Sequence, residues 1–364
     1  MKWLVGALAA LLLVGCEPQE DAPQGFAGLG QSFDAQAGQA GFAQPAPGDR
    51  IQLPRDLGPH PRYRIEWWYL TANLTTAGGD PLGLQWTQFR QGLKPHPPDA
   101  DPPPPETWPM QSVWMAHAAV SRPNDHHFTE RLARGGIGHA GATAAPFAVW
   151  LDDWSLTATE DGDWRLHVQA GDWGYDLTLT PRSEAIHHGD HGFSAKSSSG
   201  EGSMYFSFVD LTIHGTVTVN GETLDVQGSG WFDREWSSQF LRSDQQGWDW
   251  MALQLDSGER VMAFRLREEQ GAFLAGTWIS AFGEVVPLTG DDFTLQPLEQ
   301  QSFATGTVPS RWRLTIPSRE VEIEVDAMAG NFWNTGLYPY WESPVTVSGS
   351  HSGRGYLELT GYAE

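Results

Sequence analysis

A carboxylate beside indole rings opens the first aromatic segment, Glu-Trp-Trp-Tyr at residues 66–69. In a β-strand, Glu66 and Trp68 face one way, and Trp67 and Tyr69 face the other. A buried carboxyl next to an indole either has a raised pKa and acts as an acid, or neutralises an arginine. Glu66 is therefore a candidate catalytic acid and, alternatively, a structural ion-pair partner.

A second segment combines two carboxylates with two indoles at residues 231–236. Alternation along a strand gives it two faces: Trp231, Asp233 and Glu235 on one, and Phe232, Arg234 and Trp236 on the other. Asp233 and Glu235 could share a proton and serve as acid and base. Alternatively, Arg234 could neutralise Glu66 inside a barrel, and Arg234 and Glu235 would then belong to structural ion pairs.

Further aromatic residues could form the wall of a binding site. Two tryptophans flank Asp249, and an aromatic segment with another carboxylate occupies residues 338–342. A histidine inside the apolar segment 114–120 is expected to face a barrel interior. Indole faces stabilise cations and also suit bound apolar chains. The predicted ligand-binding residues are Trp68, His117, Trp231, Trp248, Trp250, Tyr340 and Trp341.

The sequence contains no motif for a cofactor. It has no glycine-rich phosphate loop, no HExxH and no GxSxG, and the glycines at 136–141 open no helical pattern, so they do not form a dinucleotide fingerprint. The histidines of residues 187–191 could gather a metal, but their glycine-rich setting favours a surface loop. We therefore expect neither a cofactor nor a metal ion.

Charge and composition restrict the partners. The 364 residues carry 22 Lys and Arg against 45 Asp and Glu, a formal charge of −23, which repels nucleic acid. A single cysteine excludes a disulfide framework. The 18 tryptophans instead favour an apolar small molecule as the partner.

The elements that must position these residues are short strands. Segments such as 176–180 and 321–325 alternate apolar and polar residues, and Asn220-Gly221 marks a hairpin. No stretch shows a sustained helical stripe, so an all-β fold of antiparallel barrels is predicted. About 300 residues exceed one barrel, and we divide them into domains at 59–232 and 233–364.

The first 15 residues resemble a secretory signal. A lysine precedes an apolar run at 3–14, and Leu-Val-Gly-Cys at residues 13–16 fits a lipobox. Lipidation of Cys16 would tether the domain to a membrane on the periplasmic side, and the glutamate that follows favours the outer membrane. Residues 16–58, rich in Gly, Ala, Gln and Pro, are interpreted as a flexible tether.

Seven stretches in order resemble the carotenoid 1,2-hydratase and AttH family, the lipocalin-like group of predicted secreted hydrolases. They are EWWYLTANL (66–74), HAAVS (117–121), HGDHGFSAK (188–196), GSGWFDREWSSQFL (228–241), GWDWMALQL (247–255), YPYWESPV (338–345) and GYLELTGY (355–362). The resemblance implies two consecutive lipocalin-like β-barrels with an aromatic cavity. By motif it also implies catalytic roles for Asp233, Trp236 and Glu66.

Two functions follow from the resemblance. Hydratases of the family add water, without a cofactor, to an isoprenoid double bond. They carry Asp-His-Asn-Trp where this chain has Asp-Arg-Glu-Trp at 233–236, and Arg234 cannot act as a base. This departure favours binding of an isoprenoid or lipid-like molecule, in a protein that assists an ABC export permease, over the alternative of a hydratase or hydrolase.

Overall fold

The computed structural model describes residues 41–95, 111–239, 241–242 and 244–363. The predicted signal peptide, Cys16 and the first part of the predicted tether lie outside these residues. The described chain forms β-strands at β1 Ile65–Thr76, β2 Pro81–Gly92, β3 Ser112–Arg122, β4 Asp125–Arg134, β5 Ala140–Ala144, β6 Phe147–Leu151, β7 Trp154–Ala158, β8 Trp164–Ala170, β9 Trp173–Pro181, β10 Ile186–His187, β11 Phe193–Ala195, β12 Gly202–Val219, β13 Glu222–Ser237, β14 Gln245–Leu255, β15 Arg260–Glu268, β16 Gly271–Ile279, β17 Val285–Thr289, β18 Thr294–Phe303, β19 Gly306–Ile316, β20 Val321–Ala327, β21 Trp333–Asn334, β22 Tyr340–Gly349 and β23 Gly353–Thr360.

These strands form two curled antiparallel sheets. The first has the order β4-β3-β2-β1-β13-β12-β9-β8-β7-β6-β5, with β10 and β11 paired to β12. The second has the order β17-β16-β15-β14-β23-β22-β20-β19-β18, with β21 paired to β22. The predicted all-β fold of two lipocalin-like barrels is confirmed.

The predicted Asn-Gly turn sets the register of the hairpin between β12 and β13. Asn220 and Gly221 have φ angles of 54° and 76°, and Val219 faces Glu222 across the hairpin. Positive φ at both central residues matches the twist of antiparallel strands, which explains the Asn-Gly pair. Helix is limited, among the described residues, to the three-residue 3-10 turns Arg55–Leu57 and Pro317–Arg319.

The later part of the predicted tether is packed rather than extended away from the domain. Phe42, Ile51 and Leu57 are buried, and Ile51 and Leu57 belong to the core of the first barrel. The Trp68 indole donates a hydrogen bond to the Leu57 carbonyl at 2.8 Å. Burial of these apolar side chains holds residues 41–58 on the first sheet.

Each sheet encloses its own apolar core, and a third apolar cluster lies between the sheets. The chain passes from the first sheet to the second between Ser237 and Gln245. The domain boundary predicted after residue 232 lies within β13. The third cluster includes Tyr69 and Trp231 from the first sheet and Trp250 and Phe264 from the second. Within the described ranges, no helix is long and apolar enough to cross a membrane.

Candidate functional site

A cavity of about 160 Å³ lies where the two sheets face each other. Its wall is mostly aromatic and aliphatic, with Trp67, Tyr69 and Phe89 from the first sheet and Trp250 and Phe264 from the second. A dry cavity of similar size in another protein accepts a benzene-sized molecule. The cavity can therefore hold an apolar group of that size. Four carboxyl groups in its wall could take part in chemistry there: Glu201, Asp233, Glu235 and Glu358.

Asp233 lies on strand β13 and lines this cavity. The predicted alternation is confirmed, since Trp231 lies in the cluster between the sheets, while Phe232 and Trp236 lie in the first barrel's core. In the register of the sheet, Asp233 faces Tyr69 on one side and Ser207 on the other.

The Asp233 carboxyl is buried, and the groups that donate to it among the described residues are neutral. Trp231 Nε1 donates to its Oδ1 at 2.6 Å, the Tyr205 hydroxyl donates to its Oδ2 at 2.8 Å, and the Ser207 hydroxyl contacts Oδ1. Burial raises the pKa of Asp233 to about 7, although the hydrogen bonds from Ser207, Tyr205 and Trp231 oppose the rise. At neutral pH much of this carboxyl is protonated and can donate a proton.

A buried histidine continues the network behind Asp233. His188 Nε2 lies 2.7 Å from Ser207 Oγ, and its Nδ1 lies 2.8 Å from Thr277 Oγ1 on the second sheet. Burial lowers the pKa of His188 to about 3, so the imidazole is neutral and carries one N–H. Because the Ser207 hydroxyl donates to Asp233, its oxygen accepts the N–H of His188 Nε2, and His188 Nδ1 accepts a hydrogen bond from the Thr277 hydroxyl.

A pair of glutamates forms a second acidic centre. Glu342 on β22 lies directly opposite Glu358 on β23. The Trp248 indole donates to Glu358 at 2.5 Å, while Tyr69 and Asn334 donate to Glu342. Burial and the neighbouring carboxylate raise the pKa of Glu342 well above its ordinary range, and burial raises that of Glu358 to about 6. The pair therefore holds one proton between two carboxyls.

The opposite face of β13 holds a different arrangement around Glu66. Both Arg90 and Arg234 form ion pairs with this carboxylate, and the His60 backbone N–H donates to it. Burial favours the neutral form, but the two arginine charges outweigh it and hold the pKa of Glu66 well below its ordinary range. Arg234 also lies 3.9 Å from the Trp68 ring.

Several predicted site residues are thereby placed away from the cavity. Glu66 stays ionised in the first barrel, so it is unsuited to act as the predicted acid. Trp236 stacks on His60 at 3.8 Å, and Trp68 is covered by Arg234, both in the first core. Trp341 is fully buried in the second core. Their side chains point to barrel interiors because alternation sends every second residue away from the cavity.

Other predicted residues do meet there. Asp233, Trp248, Trp250 and Tyr340 line the cavity, and His117 supports Tyr340 through a 2.9 Å contact between Nδ1 and the hydroxyl. Glu235 also lines it, but its cation is Lys196 at 3.0 Å and not Arg234. The alternative pairing of Arg234 with Glu66 is the one observed.

The sequence reasoning missed three groups of the site: Glu358, Ser207 and His188. Glu358 lies in the GYLELTGY stretch, whose alternation gives it the same face as Tyr356 and Thr360. His188 was expected on a surface loop, yet it is fully buried. In the part of the chain that the structure describes, no three His, Cys, Asp or Glu side chains gather as metal ligands would.

The architecture and the site residues match a known family. The model of the AttH-like family matches residues 44–362. The chain belongs to the AttH-like family. The predicted membership is confirmed, and the match covers both sheets and every residue of the cavity.

Solved structures share the fold of this AttH-like chain. The crystal structure of an AttH candidate (NE1406) from Nitrosomonas europaea is 31% identical, with a TM-score of 0.78, and covers 88% of this chain and 100% of its own. Kievitone hydratase from Nectria haematococca is 16% identical, with a TM-score of 0.63 and coverage of 88% and 98%. CghA, solved with Sch210972, is 12% identical, with a TM-score of 0.53 and coverage of 90% and 97%. No curated protein matches the chain in sequence.

Proposed function

We propose that this AttH-like protein is a cofactor-free hydratase that acts on the apolar, alkene-bearing end of a small molecule, such as an isoprenoid. The observation that carries the proposal is Asp233, a carboxyl in the cavity wall that burial keeps protonated near neutral pH. A protonated carboxyl can transfer its proton to a double bond, which leaves a carbocation on the neighbouring carbon.

The wall around Asp233 suits such a cation. The rings of Tyr69 and Trp250 lie 5.3 Å apart beside it, and aromatic faces attract positive charge. The 160 Å³ cavity accommodates the end group of a longer molecule, and the partly exposed side chains of Lys196 and Leu241 are among those that line it. A water molecule adding to the cation would complete the hydration.

The Arg234 substitution does not count against this chemistry. In the sequence alone, an arginine beside the aspartate favours binding without catalysis. The structure places its guanidinium on the opposite face of β13, against Glu66 and Trp68. Kievitone hydratase, a protein of this fold, is by its name an enzyme that adds water to a substrate, and this supports the same reaction class here.

The test uses Asp233→Asn and a simple isoprenoid-like alkene, 2-methyl-2-heptene. We expect the variant to lose at least about 100-fold in the rate of alcohol formation, because its amide cannot donate a proton as an acid does. Binding, followed by quenching of Trp emission, should persist. Asp176→Asn, which changes an exposed carboxylate on β9, is the control and should hydrate normally. Equal rates in both variants would refute the assignment of Asp233.

Carriage of a hydrophobic molecule is the second candidate, and the apolar wall of the cavity favours it. In that case the protein would release its ligand unchanged, and it could assist an ABC export permease. Mass spectrometry of the molecule recovered after incubation distinguishes the two functions. An unaltered alkene from the wild type supports carriage, and an alcohol supports hydration.

We also propose that Cys16 carries a lipid that holds the protein on the periplasmic face of the outer membrane. The lipobox in the sequence supports this assignment. Labelled palmitate fed to cells should appear in the wild type and not in Cys16→Ser. Label in both proteins would contradict the anchor.

A further inference from the structure

The proposed hydration needs a group that removes a proton from the attacking water, and Asp233 cannot be that group while it donates its own. Two carboxyls in different environments can divide the roles of acid and base. The second carboxyl must reach the cavity, and it must be able to hold a negative charge there. Of the three remaining carboxyls in the wall, Glu201 is paired with Arg242 at 3.0 Å, and Glu235 is engaged by Lys196 and by the Ser203 hydroxyl.

We propose that Glu358 is the general base of this site, with Asp233 as its acid, and that Glu342 keeps the proton which the two glutamates share. The inference rests on the proposed hydration and adds the residue that activates water. It follows from the direct pairing of the two glutamates across β22 and β23, with Glu358 in the cavity wall and Glu342 behind it.

A hydrogen bond between the two glutamates raises the pKa of Glu342 and lowers that of Glu358, which assigns the charge to Glu358. Glu342 is 1% exposed and receives the Tyr69 hydroxyl and the Asn334 amide. Glu358 receives the Trp248 indole N–H and lines the cavity, where a water can reach it. Among the described residues, no ion pair involves either glutamate, so the pair cannot hold two charges without a cation.

The groups that face the pair leave this assignment intact. The Tyr69 and Tyr340 hydroxyls stay protonated, because burial raises the pKa of both well above the ordinary value. The negative charge of Glu235 raises the pKa of Glu358 further, while hydrogen bonds from Trp248, Glu342 and Tyr69 lower it. With a pKa of about 6, Glu358 is mostly ionised at pH 7.5.

An aromatic pair adjoins both the acid and the base. Tyr69 faces Asp233 in the register of β1 and β13, and Trp250 faces Glu358 in that of β14 and β23. Their rings are 5.3 Å apart and tilted by 57° to each other, and both line the cavity. An alkene held beside these rings shares the cavity with one carboxyl that can donate a proton and a second that can accept a proton from water.

The reaction balances in atoms and charge. The Asp233 proton forms the new C–H bond with the alkene electrons, and the water oxygen forms the C–O bond with the cation. The water proton passes to Glu358, which becomes neutral as Asp233 becomes ionised. One proton returning from Glu358 to Asp233 through solvent restores the starting state, and no oxidant or metal takes part.

Deuterium labelling separates the base from the acid. With 2-methyl-2-heptene in D₂O at pD 7.5, the wild type should form the tertiary alcohol and also return alkene that carries deuterium, since Asp233 protonates reversibly. Glu358→Gln retains an oxygen for the Trp248 hydrogen bond, and we expect it to lose at least about 100-fold in alcohol formation. It should still exchange deuterium into the alkene, whereas Asp233→Asn should do neither.

Two further variants control for folding and position. Glu322→Gln alters an exposed glutamate on β20 and should behave as the wild type. Glu358→Asp keeps a carboxylate but withdraws it by one methylene, and should retain measurable alcohol formation if Glu358→Gln is inactive for chemical reasons. Normal alcohol formation by Glu358→Gln would overturn the base while leaving the acid standing. Neither alcohol nor exchange in the wild type would overturn the proposed hydration, and the base with it.

Discussion

The paired strands β1 and β13 bury a carboxyl group on each face of the first sheet to a similar degree, with opposite results. On the barrel face, Glu66 meets Arg90 and Arg234 and stays ionised. On the cavity face, the described residues that donate to Asp233 are hydroxyls and an indole, and its pKa rises to about 7. Burial penalises the charged form in both places, so the presence or absence of a cation decides which carboxyl can donate a proton.

The largest effect should come from removing the Glu66 charge that neutralises the two arginines on the barrel face. Glu66→Gln leaves Arg90 and Arg234 buried without an opposing charge. Removing one partner of a buried ion pair costs about 3–5 kcal/mol, and we expect the free energy of unfolding to fall by that amount. Urea denaturation followed by Trp emission measures it. A fall smaller than about 1 kcal/mol would show that the arginines find other compensation.

Burial of Asp233 without a neighbouring cation should make the free energy of unfolding depend on pH. The pKa of Asp233 rises from 3.8 to about 7 on folding, so the folded state binds the proton more strongly. The resulting stabilisation is fully present below about pH 4 and disappears as the pH rises through 7, a change of at most about 4 kcal/mol.

Asp233→Asn lacks this titration, so a comparison of its free energy of unfolding with that of the wild type measures the effect. The unfolding free energy of the variant, relative to that of the wild type, should increase steadily between pH 4 and pH 8. Parallel curves for the two proteins across that range would mean that Asp233 is ionised when folded.

An exposed pair should show the smallest effect. Arg165 and Asp176 form a bidentate contact on the surface of the first barrel, at 2.7 and 3.0 Å. Solvent screens such pairs, and we expect Arg165→Ala to change the free energy of unfolding by less than about 1 kcal/mol. A loss comparable to that of Glu66→Gln would show that burial does not explain the contrast between the two faces.

Alternation in β13 could be predicted from sequence, and it correctly separates Asp233 from Arg234. The same rule separates Glu66 and Trp68 from Trp67 and Tyr69, but it does not say which face meets the cavity. That choice depends on how the two sheets pack. The second cation at Glu66 comes from Arg90, whose register on β2 no local pattern reveals.

The fold class was accessible because hairpin turns and period-two patterns are local. The second acidic centre was not, because Glu342 and Glu358 become neighbours only when β22 pairs with β23. His188 was hidden for a similar reason. Its hydrogen-bond partners are Ser207 on β12 and Thr277 on the second sheet, which lie 19 and 89 residues away along the chain.

The hydrogen bond between His188 and Thr277 crosses from one sheet to the other, and the cavity has walls from both. A molecule held there is bound only while both barrels are folded, so the free energy of binding is lost when either barrel unfolds. Two cores that could lose their structure in separate steps are thereby joined into one cooperative transition. Differential scanning calorimetry with saturating ligand would show this as the merging and upward shift of the melting peaks.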